Sequence, residues 1–83
     1  LPLDWQKPAV PHINDELMRN CMTTTLQIYA ERKTDCNLPL DWIVNMTMAA
    51  YDKFSKIEEV RKTPVNDNDI YLWLDGSLSS NIS

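Results

Sequence analysis

A helical pattern of apolar residues runs from position 38 to position 62, the longest stretch of the chain with neither a glycine nor an internal helix breaker. Within it, apolar and small side chains recur at steps of three and four residues, which places them on one face of a helix. The residues on this face are Leu40, Ile43, Thr47, Ala50, Phe54 and Ile57. Because further apolar residues widen the face, the helix needs cover from more than one neighbour. The pattern predicts that it is the central helix of a small bundle.

A first helix is predicted over residues 15–33. Asn14 is a favourable N-cap, and Asp15 and Glu16 place negative charge in the first turn, where the helix dipole favours it. The apolar stripe of this helix consists of Leu17, Cys21, Met22, Thr25, Ile28 and Tyr29. Only a few polar residues separate its end from Pro39, and so short a connection makes the two helices antiparallel neighbours. The sequence therefore predicts an αα-hairpin.

The third element is less well defined by its pattern. Pro39 fits the first position of the second helix, and Pro64 marks the end of that helix. The apolar run at 70–74 then permits two interpretations. A strand would have no partner in this chain, whereas a short helix could be capped by an Asn or Asp and end at Gly76. We favour the helix, and we expect residues 77–83 to form a flexible tail.

The beginning of the chain differs from the rest in composition. Three of the five prolines lie in residues 1–12, and proline favours extended geometry in the residue before it, so this segment is predicted to be an extended arm. Its apolar side chains, Trp5 among them, pack either on the chain's own core or on a partner. A length of 83 residues allows one domain. We expect that domain to be helical, with its core in residues 13–76.

Composition supports the all-α class and limits the partners. The chain contains one glycine, and β folds depend on glycine at tight turns and bulges. Twelve acidic and eight basic residues give a net charge of −4. This excess of negative charge disfavours a general affinity for nucleic acid and for anionic membrane surfaces. No run of about 18 apolar residues is present either, so we expect neither nucleic acid nor a membrane as a partner.

The two cysteines, Cys21 and Cys36, are predicted to be free thiols. In the predicted helix, Cys21 lies about three turns before the end. At a rise of ~1.5 Å per residue it would be roughly 20 Å from Cys36, whereas a disulfide needs Cα atoms within about 7 Å. Free thiols fit a reducing compartment, and we therefore expect a cytoplasmic protein.

The sequence contains no recognisable arrangement for catalysis or metal binding. His12 is the single histidine, and its spacing from the cysteines matches no zinc pattern. The acidic segment at 66–69 does not continue as an EF-hand loop, and one glycine cannot form a phosphate-binding loop. We therefore expect no enzyme activity, no metal and no cofactor.

The remaining signal is a surplus of aromatic and methionine side chains, which are enriched where proteins meet. It predicts a small accessory, adaptor or inhibitor protein that binds a partner protein and forms a homodimer through its second helix. The predicted partner-binding residues are Trp5, Trp42, Met46, Tyr51, Tyr71 and Trp73. Two alternatives stay open: these residues fill one core, or a dimer acts as a DNA-associated transcriptional regulator. Residues 40–44 suit burial better than insertion into a DNA groove.

Overall fold

The structure, a computed structural model, describes residues 14–82, with side chains up to Ser79. Within this range the chain forms three α-helices and no strand: α1 spans Asp15–Cys36, α2 spans Asp41–Arg61 and α3 spans Asp67–Ile82. The predicted all-α class is confirmed. The predicted arm over residues 1–12, with Trp5 and His12, lies outside the described residues.

The first helix begins as its sequence predicts. Asn14 has an extended backbone, and its Oδ1 accepts a hydrogen bond of 3.1 Å from the backbone N–H of Leu17. The helix continues past Lys33, because Asn37 adopts the left-handed conformation that closes it, with φ of 51°. Asparagine tolerates this conformation better than most residues. The predicted start is therefore confirmed, and the predicted end is three residues too early.

The second helix begins after a tight turn. Trp42 N donates to Pro39 O at 3.1 Å and Ile43 N donates to Leu40 O at 3.2 Å, bonds that connect residues three apart. Such bonds are typical of the first turn of a helix. At the other end, Lys62 is left-handed with φ of 61°, and its backbone N–H donates to Glu58 O. α2 therefore ends just before Pro64, as predicted.

The third element is a helix, and it is longer than predicted. α3 passes through Gly76 and ends at Ile82, so the predicted end at Gly76 is wrong. Residues 77–82, which were predicted to belong to a flexible tail, are helical. The reason is the apolar stripe that continues from Leu74 to Leu78, which is only 3% exposed. Burying a leucine stabilises by about 1.5–3 kcal/mol, which outweighs the cost of about 1 kcal/mol for glycine within a helix.

Side-chain contacts fix the relative directions of α1 and α2. Near the beginning of α1, Asn14 forms hydrogen bonds with Tyr51 and Glu58 of α2. Near its end, Tyr29 stacks on Trp42, in the first turn of α2. The two helices therefore run in opposite directions, which fits the predicted αα-hairpin.

The third helix lies along α1 and runs in the same direction. At the beginning of α3, Asp67 lines a groove together with Thr23 of α1. Further along, the Tyr71 hydroxyl donates to Glu31 Oε1 at 2.8 Å, and Asp75 forms an ion pair of 2.7 Å with Arg32. α1 thus packs against both other helices, whereas α2 and α3 touch each other much less. The prediction that the second helix is central is therefore wrong.

Burial explains why α1 takes the central place. Thr24 and Thr25 are adjacent in sequence and about 100° apart around the helix, yet both are buried. α1 therefore buries side chains towards two neighbours, while α2 leaves much of its apolar surface exposed. The apolar core is made of Leu17, Cys21, Ile28, Ala50, Phe54, Ile70, Leu74 and Leu78.

Candidate interaction surfaces

The aromatic residues predicted to bind a partner make contacts within the chain. Trp42, Met46, Tyr51, Tyr71 and Trp73 are all half-buried and pack against the edge of the core. The ring of Trp42 stacks on Tyr29 with 6.4 Å between centroids, and the ring of Trp73 meets Phe54 edge-on at 6.0 Å. Their contacts are spread over all three helices: Trp42 contacts α1 near its end, Tyr51 contacts the beginning of α1, and Trp73 contacts α2.

The two predicted tyrosines connect helices through their hydroxyl groups. The Tyr51 hydroxyl accepts a hydrogen bond of 2.9 Å from the backbone N–H of Asn14. The Tyr71 hydroxyl donates to the carboxylate of Glu31, and this hydrogen bond raises the pKa of Tyr71 above its ordinary value. Both phenols thus hold α1 against a neighbouring helix.

Five other apolar side chains are exposed on α1 and at the start of α2. They are between 43% and 73% exposed, and we call the surface that they form the α1–α2 face. Its members are Met22, Leu26, Leu40, Val44 and Met48.

Helical geometry places these residues on the side of the bundle that faces away from α3. Glu31 and Arg32 both bond to α3. At about 100° per residue, Met22 lies about 180° from Glu31 and about 80° from Arg32 around α1. Val44 precedes Lys53 by nine residues, or half a rotation around α2, and the Lys53 ammonium lies 5.7 Å from the ring centre of Trp73 on α3. Both exposed residues therefore point away from the third helix.

A second exposed apolar site lies at the other end of α2. Val60 is 82% exposed, and with Ile57 it forms a shallow groove of about 260 Å³ that is bordered by Lys56 and Arg61. We call these four residues the basic seam. Val60 follows Val44 by sixteen residues, or about 160° around the helix. The basic seam and the α1–α2 face therefore lie on nearly opposite sides of α2.

The two cysteines lie in different environments. Cys21 is fully buried, and burial, with smaller contributions from Glu58 and Asp67, raises the pKa of its thiol to about 11. Cys36 is half-buried, and both thiols are free, as predicted. Among residues 14–79, no group of three His, Cys, Asp or Glu side chains could hold a metal ion.

The predicted partner-binding residues include none of the α1–α2 face and none of the basic seam. The signal for the α1–α2 face is the spacing of Val44 and Met48, which are four residues apart and apolar on the side of α2 opposite the charged Lys53. The signal for the basic seam was Ile57 and Val60 between two cations. The predicted partner-binding set omits both groups because aromatic side chains were given more weight than aliphatic ones.

The described structure defines a small three-helix protein with two exposed apolar surfaces, one formed by α1 and α2 and the other by α2 alone. None of its three helices combines the length and the apolar character needed to cross a membrane. Comparisons of the chain with models of protein families, with curated proteins and with solved structures find no match.

Proposed function

We propose that the protein is a small, non-enzymatic protein-interaction module that forms a homodimer through the α1–α2 face. The observation that carries the proposal is the concentration of exposed apolar side chains on one side of two helices. Scattered single apolar residues are normal on protein surfaces, but a contiguous group of this size commonly marks an interaction site.

The size of the face agrees with what a dimer needs. From their exposed fractions, its five side chains present on the order of 500 Å², while average interfaces bury about 800 Å² per partner, of which roughly 60% is apolar. Two of the five are methionines, whose flexible side chains adapt to another surface.

The character of the face favours a second copy of the chain as the occupant. In a two-fold dimer the same patch meets itself, so like charges within it would repel. The α1–α2 face contains no charged member, and two such faces can meet without that penalty. Two pairs of antiparallel helices would then form a four-helix arrangement around a shared apolar centre.

The half-buried residues of the predicted partner-binding set can contribute further contacts. Tyr51 follows Val44 by seven residues and so lies on the same side of α2, where its exposed part can extend the contact. Met46 and Trp42 precede Lys53 by seven and eleven residues, which places them on the other side of α2, and they remain candidate contacts for a different partner protein. Tyr71 and Trp73 belong to α3 and remain candidate contacts for a different partner protein. A module with both kinds of surface would act by occupying a partner, as an accessory, adaptor or inhibitor protein does.

Light scattering coupled to size-exclusion chromatography tests the dimer. We expect the full chain to elute with twice the mass of its 9.6 kDa monomer, and Val44→Asp to elute as a monomer with an unchanged circular dichroism spectrum. Leu72→Asp is the matched control, because Leu72 is 58% exposed on α3 and lies off the face; this variant should stay dimeric. A monomeric full chain at millimolar concentration would overturn the proposal.

A further inference from the structure

We propose that the basic seam of α2 binds an amphipathic helix with acidic flanks, supplied by a different protein. The inference rests on the proposed function in treating the chain as an interaction module, but it concerns a separate surface. The chain would then engage a second copy on one side of α2 and an acidic partner on the other.

The spacing in the basic seam matches one repeat of a helix-pairing surface. Ile57 and Val60 are three residues apart, as the two apolar core positions of a heptad are, and Lys56 and Arg61 occupy the positions that flank such a core. The apolar strip is short. The core position before Ile57 is occupied by Lys53, so the apolar strip ends there. The ammonium of Lys53 lies over the rings of Phe54 and Trp73.

The charges of the seam are available to a partner. Four of the eight lysines and arginines of the chain lie within residues 53–62. Among the described residues, Arg61 has no carboxylate within 4 Å, and Lys56 forms a pair of 3.3 Å with Asp52 in which both side chains are about 70% exposed. An exposed pair of this kind contributes little and is easily exchanged.

The same charges argue against a second copy at this site. In a pair of identical helices, the flanking cations of one copy would meet those of the other, and like charges at flanking positions select against that pairing. Acidic residues at the flanking positions of another helix would instead form complementary pairs with Lys56 and Arg61. The seam therefore fits a different chain with carboxylates beside an apolar strip.

A membrane surface is a poorer occupant than a helix. Anionic lipids attract clusters of four to eight cations, whereas the basic seam has two, and the exposed carboxylates of Asp52 and Glu59 lie on the same helix. One heptad of contact implies a weak and transient complex, in which complementary charge sets the specificity.

Fluorescence anisotropy with two synthetic probe peptides tests this inference on the full chain. Each peptide has about three heptads, enough for an isolated helix to form in part, with leucine at the core positions. One carries glutamate at the flanking positions and the other carries lysine. We expect the dissociation constant of the glutamate peptide to be about tenfold lower at low salt, with the difference shrinking as salt is added.

Three variants separate this inference from the proposed function. Val60→Asp should abolish binding of the glutamate peptide and leave the dimer intact, while Val44→Asp should abolish the dimer and leave peptide binding unchanged. The double variant Lys56→Glu/Arg61→Glu should reverse the preference between the two peptides. Because these side chains are exposed, circular dichroism should show that the variants remain folded.

Several outcomes would overturn the inference. They are equal affinity for both peptides, no binding of either, binding that survives Val60→Asp, and binding to phosphatidylglycerol vesicles in place of the peptide. None of these outcomes bears on the dimer, which is measured separately by light scattering.

Discussion

The side-chain amide of Asn14 donates a hydrogen bond of 2.7 Å to Oε1 of Glu58, which lies 44 positions further along the chain. The second oxygen of the same carboxylate accepts a hydrogen bond of 3.1 Å from the backbone N–H of Val65. Glu58 thus joins the residue that caps α1 to the last turns of α2 and to the loop that precedes α3. A single side chain therefore fixes one end of all three helices.

Removing this carboxylate should destabilise the whole bundle. We expect Glu58→Ala to lower the free energy of unfolding by about 2 kcal/mol, because hydrogen bonds to a charged group contribute roughly 1.5–3 kcal/mol and this site is only partly buried. Urea denaturation measures the change. Glu59→Ala is the matched control, since Glu59 is exposed and should change stability by less than about 0.5 kcal/mol.

The coupling between the two residues can be measured directly. In a double-mutant cycle with Asn14→Ala, the two losses should fall short of additivity by about 0.5 kcal/mol or more, because each substitution alone removes the shared bond. Additive losses would show that the Asn14–Glu58 contact contributes nothing in solution.

Replacing Thr47 with valine should stabilise the fold. It is 7% exposed, and its hydroxyl has no hydrogen-bond partner among the described residues. A buried hydroxyl without a partner costs about 1–3 kcal/mol, so Thr47→Val should raise the free energy of unfolding by about 1 kcal/mol. The matched comparison is Thr25→Val, which removes a bond of 2.7 Å from Thr25 Oγ1 to Cys21 O and should bring no gain.

Alkaline pH should destabilise the protein through Cys21. Burial raises the pKa of its thiol from the reference value of 9.0 to about 11, so between these values the unfolded chain releases a proton that the folded chain retains. The contribution of the thiol to stability is therefore complete below about pH 9 and lost as the pH rises to about 11. Denaturant titrations across this range should show that the free energy of unfolding falls less for Cys21→Ala than for the parent chain.

Gly76→Ala should stabilise α3. A Cβ atom built at position 76 meets no atom within 4 Å beyond the local helix, and the backbone there is helical. Alanine is favoured over glycine in the interior of a helix by about 1 kcal/mol. A rise of the thermal midpoint by several degrees is expected for a chain of this length. An unchanged midpoint would indicate that α3 is frayed at this position in solution.

Local rules predicted much of the fold. The cap at Asn14, the helical class and the stop before Pro64 all depend on residues close in sequence, and the structure confirms them. The extension of α3 was missed because it depends on Leu78 reaching the core, a long-range contact that outweighs a local preference at Gly76. The choice of α1 as the central helix was missed for the same reason.

The surfaces were harder to predict than the elements. An aromatic residue such as Trp42 has the same helical position whether it stacks on Tyr29 or on a partner, and only the packing of the two helices distinguishes these cases. The position of α3 likewise decides that Val44 and Val60 are exposed. Periodicity within one helix does not define that position. The identity of a partner depends on the surface of another molecule, and the apolar pattern of this chain does not encode it.

The central place of α1 has a consequence for synthesis of the chain. α1 precedes both of its partners, so its buried stripe lacks cover until they are made. The 46 residues that follow Cys36 up to the end of α3 at Ile82 take roughly two to nine seconds at 5–20 residues per second. α2 arrives first and covers one side, but the side that receives Tyr71 and Leu74 stays open until translation of α3 is complete. During that interval the nascent chain is most exposed to chaperones and to aggregation.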